Sequence, residues 1–254
     1  MNLIFLGTGT SQGVPVIGCD CATCKSSNEK DNRLRSSVLI EVDGLNILID
    51  PGPDLRQQFL RENIKKLDAI IITHEHKDHT GGLDDIRAFN YINKVPMDVY
   101  AEERAISALK LDYSYIFNGE KYPGIPKVSL HKINEKPFYI GDTQIIPIRV
   151  MHHKLPILGF RIKNLTYITD ANYISDKEKL KVTGSKHLII NALRKEKHIS
   201  HFDLKTAIEV AKSCNSENVF LTHISHSMGL HDKVCQTLPE GIQLAYDRLK
   251  INIT

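Results

Sequence analysis

The sequence of 254 residues contains no run of about 18 apolar residues, the length that a helix needs to cross a bilayer. Its first residues, MNLIFLGTG, lack a basic segment and a long apolar segment, so they predict a first β-strand rather than a signal peptide. The net charge is only +3, whereas nucleic-acid-binding proteins usually show a clustered basic excess. These absences predict a cytoplasmic protein that does not associate with membranes, and they make a nucleic-acid partner less favoured.

The cysteines do not form the pattern of a disulfide scaffold. A secreted scaffold spreads an even number of cysteines along a shorter chain, whereas this sequence has five, three of them together in CDCATC as Cys19, Cys21 and Cys24. The spacing Cys-x-Cys-x-x-Cys predicts thiolates that converge on one soft metal ion, with a fourth ligand from elsewhere. Three reduced loop cysteines are the alternative, which we favour less because exposed free thiols are reactive.

No low-complexity linker divides the chain, and a hydrophobic fraction of 41% is sufficient for a sizeable core. We therefore predict one α/β domain, residues 1–254, with helices covering β-sheets. Asp43-Gly44 joins two apolar runs and predicts a tight β-hairpin. Strands are predicted at residues 3–6, 38–42, 46–49, 69–73, 99–101, 144–150, 158–162, 165–169, 188–191 and 219–222. Helices are predicted at residues 54–62, 101–111, 175–181 (with a capping box of Ser175 and Glu178) and 203–214, and residues 113–126 are predicted to be irregular.

Four predicted strands end at residue types that bind metals, and one of these ends continues as THEHKDH, with the spacing His-x-His-x-Asp-His. A rigid sheet holds the side chains at its strand ends in place, and multi-residue sites tend to assemble there. Mixed imidazole and carboxylate donors suit Zn, Mn or Fe better than Ca or Mg. The candidate ligands are His74, His76, Asp78, His79, His152, Asp170 and His223.

The segment THEHKDH resembles the signature of the metallo-β-lactamase-fold hydrolases. Together with LGTGTSQGVP, CDCATC, LIDPG and LTHISH, it is most similar to the PhnP-type cyclic phosphodiesterases. This resemblance implies an αββα sandwich, in which two packed β-sheets are flanked by helices. It also implies a small phosphodiester substrate, such as a ribose cyclic phosphate or a 2′,3′-cyclic nucleotide.

The resemblance implies three metal ions. Two divalent transition metals, Zn or Mn and alternatively Fe, would share the seven candidate ligands. One would be bound by His74, His76 and His152 and the other by Asp78, His79 and His223, with Asp170 bridging them. A third, structural Zn would be bound by Cys19, Cys21, Cys24 and His226.

Three assignments within this ligand set have alternatives. His153 is a rival for His152, although alternation along a strand points the two side chains to opposite sides. Cys235 is the rival fourth ligand of the structural Zn, and His226 is preferred because Cys₃His is a common closed zinc set. Asp50 in LIDPG orients the ligand loop or serves as a turn residue.

His201 lies in a loop two residues before Asp203, the predicted cap of a helix, where the charge of a phosphate is welcome. The resemblance implies that it faces the scissile phosphate, and we predict that it is the general acid. His201 and Asp78 are therefore the predicted catalytic residues. His131, His187, His198 and His231 show no pattern beyond ordinary surface or structural use.

Three other functions stay open at this stage. A tRNA 3′-processing endonuclease shares the ligand set, but such nucleases usually carry a long, basic, Gly-rich arm, and the sequence shows no such insertion. A hydrolase of carboxyl bonds, a lactam or a thioester, fits the ligand set but not His201. A non-catalytic zinc-binding accessory protein would not need all seven active-site ligands, and fold resemblance alone does not establish activity. The sequence also leaves open whether the chain forms a homodimer.

Overall fold

The computed structural model describes residues 1–118, 122 and 124–253. Two β-sheets pack face to face. The strands of the first sheet, in spatial order, are Lys250–Asn252, Asn2–Gly7, Ser37–Val42, Leu45–Ile49, Ala69–Ile71, Met97–Ala101 and Val128–Lys132. Those of the second are Tyr173–Ile174, Thr143–His152, Leu155–Ile162, Leu165–Ile168, His187–Asn191, Asn218–Thr222 and Ile242–Leu244, and Phe138–Ile140 pairs with Thr143–His152.

Helices cover the outer faces of both sheets. The α-helices are Leu55–Arg61, Lys77–Thr80, Arg87–Asn93, Glu103–Asp112, Ser114–Phe117, Asp176–Val182, Leu204–Ser213 and His231–Cys235. Short 3₁₀ helices occur at Glu29–Asp31, Leu83–Ile86 and His226–Met228. Within the residues that the structure describes, no helix is long and apolar enough to cross a membrane.

Alternating side chains of single strands enter different layers of the core. Leu3 and Phe5 point between the two sheets, whereas Ile4 packs under the helices on the outside of the first sheet. In the second sheet, Ile189 points inward and Ile190 packs under the outer helices. Strands buried on both faces explain why these segments are apolar without interruption. The predicted αββα sandwich is confirmed.

Local sequence chemistry sets the predicted turns and caps. Asp43 and Gly44 both have positive φ, 49° and 79°, as a two-residue type I′ hairpin requires, and Val42 pairs with Leu45 across the turn. The side chain of Ser175 accepts a hydrogen bond from the amide of Glu178 and begins a helix, as predicted. The carboxylate of Glu178 does not complete the capping box, because it accepts a hydrogen bond from the amide of Arg149 instead.

All ten predicted strands and all four predicted helices are present, with ends displaced by a few residues. The prediction of an irregular stretch over residues 113–126 is wrong for Ser114–Phe117, which is helical, and residues 119–121 and 123 lie outside the described part of the chain. Five further strands were not predicted from the sequence: Val128–Lys132, Phe138–Ile140, Tyr173–Ile174, Ile242–Leu244 and Lys250–Asn252. They have two to five residues each, too few for the alternation of polar and apolar residues to stand out.

Candidate metal centres

Parallel strands bring the candidate ligands to one edge of the sandwich. Leu45–Ile49 and Ala69–Ile71 run parallel in the first sheet, and Leu165–Ile168, His187–Asn191 and Asn218–Thr222 run parallel in the second. Three residues that follow these strands have positive φ without being glycine: Asp50 at 63°, Asp170 at 57° and His223 at 54°. Such strained conformations cluster at functional sites, because the surrounding structure has to enforce them.

The first group of donors consists of His74, His76, His152 and Asp170, whose ligand atoms all lie within 4.8 Å of one another. The ring centroid of His76 lies 4.6 Å from that of His74 and 5.1 Å from that of His152. His153 is exposed and is not part of the group. It lies in the hairpin turn after Thr143–His152 with φ of 56°, and its amide donates to Asn172. The structure therefore favours His152 over His153.

The second group consists of Asp78, His79, Asp170 and His223, whose ligand atoms also lie within 4.8 Å of one another. The Nε2 atom of His79 lies 3.1 Å from Oδ2 of Asp78, and Nε2 of His223 lies 3.1 Å from Oδ1 of Asp170. Asp170 belongs to both groups, and its Oδ2 lies 3.8 Å from Nε2 of His74 and 3.4 Å from Nε2 of His79. This is the placement that a bridging carboxylate requires.

Hydrogen bonds leave the Nε2 atoms of three histidines free to bind a metal. Asp50 accepts from Nδ1 of His79 at 2.7 Å and from the hydroxyl of Thr73 at 2.8 Å. Because the hydroxyl proton of Thr73 goes to Asp50, its oxygen accepts from Nδ1 of His74 at 3.0 Å. Nδ1 of His152 donates to a backbone carbonyl at 2.9 Å. Each ring thus carries its proton on Nδ1 and presents the lone pair of Nε2 to the site.

Buried atoms without partners show that the residues fit metal ions. Nε2 of His74, His79 and His223 is buried and makes no hydrogen bond within the described residues. A buried polar atom without a partner is costly, and metal ions in the two donor groups would satisfy these lone pairs, one at His74 and the other at His79 and His223. The described contacts of Asp50 also support its predicted orienting role, since its buried carboxylate holds both His79 and Thr73.

The charges of the groups agree with this fit. Burial, and then the charge of His79, lower the pKa of His74 well below its ordinary value, so the ring is a neutral donor. Burial disfavours an ionised Asp170, but the charges of His223 and His79 outweigh it and hold the pKa of its carboxyl well below the ordinary value. Burial also opposes a charged His79, yet the carboxylates of Asp170, Asp78 and Asp50 raise its pKa well above the ordinary value, so a metal ion bound at Nε2 would replace a proton there. Several anionic oxygens converging on one pocket favour a cation there.

The cysteine cluster forms a separate group with His226. Nδ1 of His226 lies 3.2 Å from Sγ of Cys19 and 3.5 Å from Sγ of both Cys21 and Cys24. In a tetrahedral zinc site, sulfur and nitrogen ligands lie about 3.5 Å apart, which follows from Zn–S and Zn–N bonds of about 2.3 and 2.0 Å. Cys235 is not part of this group, because its Sγ contacts Nε2 of His231 at 3.6 Å. The predicted four residues are therefore the ones that come together.

The sequence matches a known protein family over much of its length. Residues 45–224 match the model of the beta-lactamase superfamily domain. The chain belongs to this superfamily. A solved diphosphatase of the PhnP family is 39% identical and superposes on this superfamily member with a TM-score of 0.93, over 100% of this chain and 98% of that chain.

Two curated relatives extend the comparison. An octanoyltransferase of Porphyromonas gingivalis is 39% identical over 253 residues, which are 98% of this chain and 51% of that protein. A ribonuclease Z of Bacillus licheniformis is 29% identical over 189 residues, which are 72% of this chain and 54% of that protein. The chain thus spans about half the length of the curated relatives it matches. By fold and by sequence, this superfamily member is related to the PhnP family.

His201 lies beside both donor groups of this superfamily member without belonging to either. Its ring stacks on that of His223 with centroids 4.9 Å apart, and its Nε2 lies 3.4 Å from Oδ2 of Asp170. This Nε2 is buried and makes no hydrogen bond within the described residues. Sequence analysis missed two residues on the other side of the ring, Ser200 and His198. Their only signal was their nearness in sequence to His201.

Proposed function

We propose that the chain hydrolyses a small cyclic phosphodiester, of the ribose cyclic phosphate or 2′,3′-cyclic nucleotide type, at a dinuclear metal centre. The observation that carries this proposal is Nε2 of His201. It is buried, has no hydrogen-bond partner among the residues that the structure describes, and lies 3.4 Å from the central carboxylate of Asp170. Phosphodiester hydrolysis at an alkyl oxygen needs a proton donor beside the metals, and His201 fits that position.

In this proposal, His74, His76 and His152 hold one divalent cation, and Asp78, His79 and His223 hold the other, with Asp170 between them. When bound, the two cations would lower the pKa of a water molecule and neutralise the phosphate oxygens. Zn or Mn suits the mixed donors, and Fe is the alternative. Asp78 is the one carboxylate that belongs to a single donor group, so its loss would disable that group alone.

His201 would donate a proton to the alkoxide that leaves phosphorus. Burial, opposed by the nearby carboxylate of Asp170, lowers the pKa of His201 to about 4, so the ring is neutral near pH 7 before substrate binds. An anionic phosphate beside the ring favours the protonated form. The proton on Nε2 then passes to the leaving oxygen as its bond to phosphorus breaks, and the ring returns to neutral.

The relatives favour a second candidate function, the hydrolysis of a diphosphate bond. The solved diphosphatase of the PhnP family is 39% identical over the full chain. The same donor groups could serve a phosphoanhydride, because the charge to be neutralised lies on phosphate oxygens in both cases. The leaving group would then be a phosphate, which needs less protonation than an alkoxide. The two functions therefore differ in how much they depend on His201.

A substrate panel tests the proposal. The protein, reconstituted with Zn or Mn, is assayed with 2′,3′-cyclic AMP, a ribose cyclic phosphate, ADP-ribose, a precursor tRNA and a lactam, with Asp78→Ala as the inactive control. We expect the largest kcat/KM on a cyclic phosphodiester and none for the variant. A preference for ADP-ribose of 10-fold or more would establish the diphosphate function instead. Activity on the lactam alone would overturn both phosphorus-based functions.

A further inference from the structure

Ser200 contacts three histidines through three different atoms. Its carbonyl accepts from Nδ1 of His152 at 2.9 Å, its amide donates to Nδ1 of His198 at 3.3 Å, and its hydroxyl lies 2.9 Å from Nδ1 of His201. The hydroxyl also lies 3.2 Å from Nδ1 of His198. Ser200 therefore links a candidate metal ligand, the candidate general acid and a third histidine that belongs to neither donor group.

The backbone amide of Ser200 determines which atoms of Ser200, His198 and His201 carry the hydrogen-bonding protons. A backbone amide can only donate, so Nδ1 of His198 is an acceptor without a proton. A lone pair at this position attracts the hydroxyl proton of Ser200 as well. With its proton directed to His198, the hydroxyl oxygen of Ser200 is an acceptor for Nδ1–H of His201. Nδ1 of His201 also lies 3.2 Å from Nδ1 of His198 itself, so the hydrogen bonds run in one direction, from His201 to His198, both through the hydroxyl of Ser200 and directly.

The loop that carries these residues is fixed at several points. The amide of Leu193 donates to the carbonyl of Phe202, which closes the loop at its base. Asn172 donates from its side chain to the carbonyl of Ile199, and the guanidinium of Arg194 donates to the carbonyl of Lys197. A loop held in this way keeps the side chains of His198, Ser200 and His201 in fixed positions relative to one another.

We propose that His198 and Ser200 are positioning residues that fix the tautomer of His201. They hold the neutral ring with its proton on Nδ1 and the lone pair of Nε2 directed at Asp170 and the reaction centre. The inference rests on the proposed function of His201 as a general acid. His198 itself touches no residue of the two donor groups through a described hydrogen bond, so it acts through His201.

The tautomer matters because of the product of proton transfer. A ring protonated on both nitrogens gives up the Nε2 proton to the leaving oxygen and ends as the neutral Nδ1–H form. This is the form that Ser200 and His198 stabilise. In the opposite neutral tautomer, donation from Nε2–H would leave an imidazolate, which is far too basic to form near pH 7. An acceptor on the far side of a catalytic histidine fixes the tautomer in the same way in serine proteases.

Kinetics of variants test the proposal on the metal-loaded full chain. His198→Ala removes the acceptor, whereas His198→Asn places the amide oxygen where Nδ1 was, and Ser200→Ala removes the hydroxyl. The substrates are 2′,3′-cyclic AMP, which has an alkoxide leaving group, and bis(4-nitrophenyl) phosphate, whose leaving group needs little protonation. His131→Ala is the control, because His131 is a half-exposed histidine paired with Asp98 on the first sheet.

For His198→Ala and Ser200→Ala we expect a loss in kcat of about 10-fold to 100-fold on 2′,3′-cyclic AMP, a loss below about 3-fold on the nitrophenyl ester, and little change in KM. His198→Asn should restore kcat to within about 3-fold of wild type. A loss that is equal on both substrates would show general damage to the site and would overturn the proposal. Failure of His198→Asn to restore activity would also overturn it.

The tautomer is measured directly by ¹⁵N NMR of the zinc-loaded protein with ¹⁵N-labelled histidine. We expect His201 to carry its proton on Nδ1 in wild type and in His198→Asn, and to shift towards the Nε2–H form or a mixture in His198→Ala. An Nε2–H form in the wild type would overturn the inference. This measurement needs no turnover, so a chain without phosphodiesterase activity would refute the proposed function while the tautomer result still decides the hydrogen-bond assignment.

Discussion

The buried histidine at position 231 should make the stability of the protein depend on pH. Only 4% of its surface is exposed, and its Nδ1 accepts a hydrogen bond of 3.1 Å from the guanidinium of Arg33. Arg33 is itself buried and also donates to the hydroxyl of Thr8 and to the carbonyl of Ala245. Burial, and then the charge of Arg33, lower the pKa of His231 to about 4 from an ordinary value of 6.5.

The sign of the effect follows from the protons bound in each state. Between pH 6.5 and about 4, the unfolded chain protonates this histidine and the folded chain does not. The free energy of unfolding should therefore be unaffected above pH 6.5 and should fall as the pH drops from 6.5 to about 4. A shift from 6.5 to about 4 corresponds to at most about 3 kcal/mol, at 1.36 kcal/mol for each pKa unit.

The variant His231→Asn isolates this contribution. Its amide oxygen can still accept from Arg33, but the side chain does not titrate. Urea unfolding at several pH values between 7.5 and 4.5 gives the free energy of unfolding of both proteins. We expect wild type to lose up to about 2.5 kcal/mol more than the variant over this range, which ends just above the pKa of about 4 in the folded state. Other histidines and the cysteine cluster respond alike in both proteins, so parallel curves would refute the reasoning.

Four further predictions concern the metal centres and the histidine beside them. Elemental analysis after full reconstitution should find three transition-metal ions per chain, one of them a zinc that resists chelation. A closed site with four protein ligands has no open position for a chelator. Two or fewer ions per chain would count against the cysteine site. Cys21→Ser should lower Tm and lose that zinc, whereas Asp78→Ala should abolish activity with a smaller change in Tm. An equal Tm for Cys21→Ser and wild type would show that the cluster holds no structural metal. Asp50→Asn should weaken metal binding about 10-fold to 100-fold, because the new amide nitrogen would face a donor, either the backbone amide of Thr73 or the hydroxyl of Thr73 together with Nδ1 of His79. Unchanged affinity in a metal titration would contradict this. His201→Ala should keep its metals and lose about 10²-fold to 10⁴-fold in kcat on an alkyl phosphodiester but far less on a nitrophenyl ester; equal losses would indicate electrostatic stabilisation instead.

The sequence was sufficient for the parts of the site that depend on local pattern. His74, His76, Asp78 and His79 lie within six residues, and their spacing is recognisable without any knowledge of the fold. Strands buried on both faces, such as Leu165–Ile168, appear as short apolar runs, so the strand ends that carry Asp170 and the other single ligands could be located. Their assembly into two groups was predicted only through the resemblance to the superfamily, which implied the ligand set.

The parts that the sequence did not predict depend on contacts between distant segments. Arg33 and His231 are 198 residues apart, and neither position has a pattern that indicates burial. The role of Thr73 arises because Asp50, 23 residues away, takes its hydroxyl proton. His198 has no unusual neighbours in sequence, and its importance comes from the direction of one backbone amide. The direction of a hydrogen bond depends on the folded structure, and the pattern of polar and apolar residues along the sequence does not predict it.

One short segment connects the cysteine cluster to the second donor group, which consists of Asp78, His79, Asp170 and His223. His226, which belongs to the cysteine cluster, follows His223 by only three residues. Between them, Ile224 makes two backbone hydrogen bonds to the first strand and the loop after it. Its amide donates to the carbonyl of Thr8, and its carbonyl accepts from the amide of Thr10. The chain then runs from Thr10 into the loop that carries the three cysteines. A zinc ion bound to that loop and to His226 would link residues 223–226 to the cysteine loop. Together with the hydrogen bonds of Ile224, this link would help to hold His223 in its strained backbone conformation with positive φ. With zinc bound, the cysteine cluster would therefore contribute to the position of His223 as well as to folding.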